Sequence, residues 1–305
     1  MPVDLSLEQL QSYAPDTAIY ENAPTPGWLD ELDLRPAPPN LKMGMHSIEL
    51  DECLMVDRFR DSELALKNRL LTEQHDNTFA ALPTADDASH EVFALVNRWL
   101  IANGLPPADR AEGIHPLEAA GRAVQEDLCV MVPRDGDWYL DAGALCFPTF
   151  WALGDKIGKP TRLVHEYVAH YADELSDKVD RFFDHLSPGR AVRRRNLSIK
   201  PYALLYLPVN RAIQPVGSLD TGADGSPWWL RSERQTLQRL PESGAILFTI
   251  RLQTAPAKVF LDRPDRARDL AAMYRSWGGD LWKYKVAAND LNRTFIPWLE
   301  RISTG

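Results

Sequence analysis

The 305-residue chain is poor in cysteine, and none of its cysteines can act together as neighbours: Cys53, Cys129 and Cys146 are odd in number and far apart. No Cys-x-x-Cys unit can be built from them, which excludes a zinc ribbon, a cysteine-held iron–sulfur cluster and a disulfide framework, and points to a reducing compartment. Long apolar runs are also missing. No window approaches the roughly 18 apolar residues that a membrane span requires. The opening MPVDLSLEQLQSY has neither a basic stretch nor an apolar one, so the expectation is a cytoplasmic protein without a membrane segment. Positive charge is scarce: 34 Lys and Arg against 43 Asp and Glu give a formal charge of -9. Phosphate binding needs the opposite balance, so nucleic acid is not an expected partner. The one basic run, Arg193-Arg194-Arg195, reads as a solvated turn.

Common cofactor and nucleophile signatures are absent too. No G-x-G-x-x-G follows a strand pattern and no G-x-S-x-G elbow occurs. Two segments come close and fail on spacing. Gly154-Asp-Lys-Ile-Gly158-Lys159-Pro160 has too few residues between its glycines for a phosphate loop and a proline where the hydroxyl should stand. His165 and His170 are five apart rather than four, so on one ideal helix the second imidazole points roughly 140° away from the first and they cannot share a zinc ion.

What is present is a globular composition, 45% apolar and 25% charged. The proline-rich segment from Pro24 to Pro39 reads as an extended arm, and the spacing of apolar residues predicts helices near 62–75 and 90–103. The pattern then changes. Residues 128–133, 137–147, 202–208, 228–240 and 245–253 read as strands, with Arg134-Asp135-Gly136 and Pro241-Glu-Ser-Gly244 as hairpin turns. A helix over 173–186 and a C-terminal helical stripe through Leu281, Tyr284, Ala288, Leu291, Phe295 and Trp298 complete the chain. This order predicts α+β, an antiparallel sheet with helices gathered on one side and at the ends.

Two stretches carry chemistry. Phe147 to Pro160 is aromatic-rich and leads through Thr161-Arg-Leu-Val to His165, Tyr167 and Tyr171. Arg231, Glu233 and Arg234 put charge into an otherwise apolar strand, whose alternation sends Arg231 and Glu233 to one face and Arg234 with Thr236 to the other. Buried charges are costly unless paired, so these residues form either a cross-strand ion-pair lattice or a polar pocket for a ligand. Trp228, Trp229, Trp151 and Phe150 are core residues or cofactor lining.

The runs GALCFPTFWALGDKIGKPTRLVHEYVAHYADELSDKVDRFFDHL and LRSERQTLQRLPESGAILFTIRL, together with MGMHSIEL, the FAALP block and the C-terminal WKYK-to-PWLER helix, resemble the haem-bearing alpha subunits of oxidative N-demethylases over about residues 40–300. The family's Ser-Phe-Pro-Ser turn is Cys146-Phe-Pro-Thr149 here, and its proline-rich step after the histidine is Glu166-Tyr167-Val168-Ala169. The resemblance implies a PAS-like antiparallel sheet with a haem pocket, flanked by N- and C-terminal helices. The expected layout is an arm over 1–40, a helical region over 41–125, a haem-binding core over 126–262 and C-terminal helices over 263–305. It implies haem b with iron on His165, His170 being the other candidate, in a pocket that includes Tyr167, Trp229 and Arg234. Arg231, Glu233 and Arg234 become the catalytic candidates, an Arg pairing with a propionate or polarising bound oxygen and Glu233 orienting it or receiving a cationic amine. The implied activity is oxidation of a small secondary amine such as dimethylamine with O2, giving a primary amine and formaldehyde. NADPH, FMN and a 2Fe–2S cluster would sit on a reductase partner and tetrahydrofolate on a further subunit, in a hetero-oligomer. The alternative is a non-catalytic haem-binding gas or redox sensor.

Overall fold

Asp135 and Gly136 both take positive φ, 52° and 80°, the backbone of a two-residue turn whose twist matches the hairpin it closes. The computed structural model describes residues 5–36, 44–164, 176–209, 219–277 and 290–304. Its strands are β1 (His46–Ile48), β2 (Phe79–Ala81), β3 (Asp127–Arg134), β4 (Asp137–Ala144), β5 (Ala191–Lys200), β6 (Trp229–Arg239) and β7 (Ile246–Pro256). They form one sheet in the order β1-β5-β6-β7-β3-β4-β2, every pairing antiparallel. The hairpin β3–β4 and the meander β5–β6–β7 meet where β3 pairs with β7, and the three-residue β1 and β2 close the two edges.

Two expectations are corrected. Residues 202–208 are not a sheet strand. They run buried beside the sheet, with one isolated bridge between Leu207 and Thr149, and the carbonyls of Leu204 and Leu205 are taken by Arg231. The strand in their place is β5, which contains Arg193-Arg194-Arg195 rather than leaving them in a solvated turn. Alternation puts Arg193 and Arg195 on one face, where both guanidinium groups meet Glu31 at 2.5 and 2.9 Å, and Arg194 on the other.

The helices also cover both faces instead of gathering on one, because β6 and β7 are buried along almost their whole length on both sides. On one face α5 (Asp86–Ala102) and α6 (Pro116–Ala123) pack on Leu128, Val130 and Leu247. At the other end of that face α9 (Pro264–Arg275) and α10 (Ile296–Ile302) pack with Trp28 on Ile199, Leu230 and Ala255. The opposite face meets α8 (Ser176–His185), α7 (Thr161–Val164) and the segment between β4 and α7, which bury Met131, Leu237, Ile246 and Ile250. Helix α3 (Arg60–Glu73) joins residues 204–207 over Phe147 and Leu252. The proline-rich arm, as far as it is described, turns at Gly27–Glu31 and buries Trp28, Leu29, Leu32 and Leu34. Arg266 holds it by donating to the carbonyls of Leu29 and Leu32.

A clamped turn and a half-buried carboxylate as the candidate functional site

Arg231 points into the face covered by α7 and α8, where only 3% of it is exposed, and all of its donors are engaged. Its Nε donates to Thr149 Oγ1 at 2.8 Å, Nη1 to the Leu204 carbonyl at 2.7 Å, and Nη2 to the carbonyls of Phe147, Pro148 and Leu205 at 2.9, 2.8 and 2.9 Å. Burial pushes the guanidinium down to about 10, so it stays charged at neutral pH. The same turn is held from its other side by Asp127, whose two carboxylate oxygens accept from the amides of Cys146 and Phe147, each at 2.8 Å. Lys67 lies 3.7 Å from Asp127 and donates to the carbonyls of Val124 and Glu126. A buried anion on the amides and a buried cation on the carbonyls thus fix residues 146–149. The chain leaves this clamp through Phe150 at φ 61°, a conformation an aromatic residue adopts only where its surroundings enforce it. Its amide donates to the Leu207 carbonyl at 2.8 Å and Lys200 lies 4.2 Å from its ring centroid.

The clamp presents Thr149 to Glu233. Because Arg231 Nε occupies the threonine oxygen as a donor, the Thr149 hydroxyl donates to Glu233 Oε1, and Gln235 Nε2 donates to Glu233 Oε2 at 2.9 Å. Glu233 is only half-buried. Its neighbours across the strands are Asn196 and Leu252, and those of Gln235 are Arg194 and Ile250. Glu233, Gln235, Asn196 and Arg194 are all half-buried, so they form a polar floor. At one end stands the Arg231 clamp and at the other an apolar wall with Trp151, Phe182, Leu237, Phe248 and Ile250.

The structure brings together Arg231 and Glu233 and separates Arg234 from them. Arg234 lies on the opposite face, where Nη2 donates to the Glu52 carbonyl at 2.6 Å, and so it shares no pocket with Glu233. Trp229 packs with Tyr20 and Ala203 at the start of β6, a core position. His165, Tyr167 and His170 lie outside the described residues. The chain enters that stretch from Val164 in α7 and leaves it into α8, and Val164, Val179 and Phe182 belong to the apolar wall above. Sequence reasoning missed Thr149, Gln235, Asp127 and Lys67. The signal for the last was a lysine inside the apolar stripe of α3, next to Leu66 and near Leu70 and Leu71, where a buried ammonium demands a partner.

Among the described residues no group of three or more His, Cys, Asp or Glu is placed to hold a metal ion. Burial pushes the Cys53 thiol up to about 11 and raises Cys129 and Cys146 as well, which disfavours thiolate ligation.

Fold and site define a class: an α+β protein with a seven-stranded antiparallel sheet, one face of which carries a fixed, half-buried carboxylate on a polar floor beside an apolar wall. A family model described as haem-dependent oxidative N-demethylase, alpha subunit-like matches residues 103–291, more than half of the chain, and the chain belongs to that family. The matched stretch covers β3 through β7 and includes Thr149, His165, Arg231 and Glu233. By that description the family is oxidative and haem-dependent, and its members are alike to one subunit of a larger complex. No helix among the described residues is long and apolar enough to cross a membrane.

Proposed function

We propose that the chain is the haem-binding catalytic subunit of an N-demethylase that oxidises a methyl group of a small secondary amine, dimethylamine or a close analogue, to give a primary amine and formaldehyde. The observation that supports this most is Glu233, a half-buried carboxylate held by Thr149 and Gln235 beside an apolar wall, inside the family-matched stretch. A protonated dialkylamine has two N–H donors and small apolar arms. A fixed carboxylate suits the first, and Phe248, Ile250 and Phe182 suit the second.

The haem ligand of this reading follows by elimination among the histidines. Of the seven histidines, His46, His90 and His185 are exposed, the last bonded to the Arg181 carbonyl, while His75 and His115 face Glu118 and Asp86. An imidazole ligand is thereby left to His165 or His170, and His165, directly after α7, is the ligand of this proposal, with Tyr167 two residues on. Arg194, on the Glu233 face, replaces Arg234 as the cation suited to a propionate. Arg231 is a positioning residue, since its nitrogens are engaged by the turn and by the carbonyls of Leu204 and Leu205.

When bound, haem supplies dioxygen activation and oxidation of the methyl carbon. Glu233 receives the ammonium N–H and orients the methyl groups toward the apolar wall, Thr149 and Gln235 keep its two oxygens in place, and the aromatic wall excludes water. The chain carries no nicotinamide or flavin fingerprint and no cysteine set for a cluster, so electrons would come from a cytoplasmic reductase subunit using NADPH, FMN and 2Fe–2S, and formaldehyde would pass to a tetrahydrofolate-binding subunit.

The test is a dimethylamine titration of the haem-loaded protein followed by absorption. Glu233→Gln keeps the Soret band and binds the amine about 10- to 100-fold more weakly, the loss of one charge-assisted contact. A variant with unchanged amine affinity would remove Glu233 from the site.

A further inference from the structure

Arg195, Arg234 and Arg251 occupy directly paired positions on β5, β6 and β7, so three guanidinium side chains stand side by side on the sheet face opposite Glu233. Glu126, the residue before the Asp127–Ile250 pair, extends the row beyond Arg251. The two outer arginines have carboxylate partners. Arg195 meets Glu31 at 2.9 Å and also donates to Gln253 at 2.7 Å, and Arg251 meets Asp57 at 2.7 Å and Glu63 at 2.8 Å. Arg234 has none among the described residues; its one hydrogen bond there is to the Glu52 carbonyl, and the residue is 7% exposed. Four fully buried polar atoms in this row have no hydrogen-bond partner among the described residues: Arg195 Nε, Arg234 Nη1, Arg251 Nε and Glu126 Oε2.

We propose that this row is a binding site for a small inorganic anion of the chloride class, seated against Arg234 between Arg195 and Arg251. Three of the four unmatched atoms are N–H groups that can only donate. A water molecule would have to send its own two hydrogens to acceptors, and the row offers a single unmatched one, Glu126 Oε2. An anion accepts from such N–H groups and neutralises Arg234, the guanidinium of the row that lacks a counter-charge among the described residues. Burial pushes Glu126 up to about 7, which lessens the negative charge at the end of the row. The unmatched atoms are sealed from solvent, which limits the ligand to a few atoms. A cavity of about 230 Å³ lies beside the row, for its lining includes Asp57 and Gln253, the same groups that hold Arg251 and Arg195, together with Arg58.

Thermal unfolding of the full-length chain in sodium chloride and in sodium gluconate at equal ionic strength tests the site, with Arg234→Met as the comparison. Chloride at about ten times its dissociation constant raises the Tm of the wild type by about 2–4 °C over gluconate, and the variant loses that increment. Bromide-soaked crystals of the wild type provide a readout that does not depend on the variant folding, and an anomalous peak beside Arg234 is expected. Equal Tm values in the two salts, an increment retained by Arg234→Met, or a water without anomalous signal in that position would each overturn the proposal.

Discussion

Arg231 and Glu233 sit two residues apart on one strand face and differ in what their loss should do. Arg231→Met strips a buried donor from the carbonyls of Phe147, Pro148, Leu204 and Leu205 and removes the group that orients Thr149. Urea unfolding should report a loss of about 3–5 kcal/mol, the range for breaking a buried charged network. Glu233→Gln, half-buried and still able to accept from Thr149, should move stability by less than about 1 kcal/mol and act on the amine instead. A third residue gives the pH dependence its sign. Glu126 is pushed up to about 7 by burial from an ordinary value of 4.5, so between those values the folded chain holds a proton that the unfolded chain has released. Its contribution to stability therefore falls as pH rises from about 4.5 to about 7 and is level above. Glu126→Gln removes that decline and keeps an acceptor for the Met55 amide, so by pH 8 the variant should gain up to about 3 kcal/mol on the wild type in denaturant melts. Of these residues, Glu233 and Arg231 could be read from the sequence because charge interrupts an apolar strand. The pairings of Asp127 with Lys67 and of Arg251 with Asp57 and Glu63 could not, because these charged partners are 60 to 194 residues apart and nothing local sets the pairing.

At the level of elements, local signals were sufficient where the turn chemistry was strong. Asp135-Gly136 and Gly244, at φ 71°, mark the two hairpins, and the strands they join lie within a few residues of their expected limits. The β5 strand was hidden because its three consecutive arginines look solvated in isolation; two of them meet Glu31, 160 residues earlier or more, which lies over them. Residues 202–208 misled for the opposite reason: they are apolar and strand-like, yet the Arg231 guanidinium takes the carbonyls that a sheet neighbour would have used. Helix α6 depends on close approach to β4. A Cβ added to Gly121 would meet the Ala144 Cβ at 2.6 Å, and both lie on regular elements that cannot yield independently. Gly121→Ala should therefore destabilise the fold by about 1–3 kcal/mol in thermal or denaturant unfolding, whereas an alanine at the open position Gly154 should be near neutral.

The whole molecule divides its sheet between two tasks. The face under α5, α6, α9 and α10 is a structural face with a buried charged row, and the face under α7 and α8 keeps a half-open polar floor beside an apolar wall. The proposed function assigns the haem ligand to one imidazole, His165, in the family-matched stretch. The absorption spectrum of haem-loaded protein, wild type against His165→Ala, measures that most directly. A Soret band in the wild type that is lost in the variant, with folding unchanged by circular dichroism, is the predicted result; an identical band in both would contradict it.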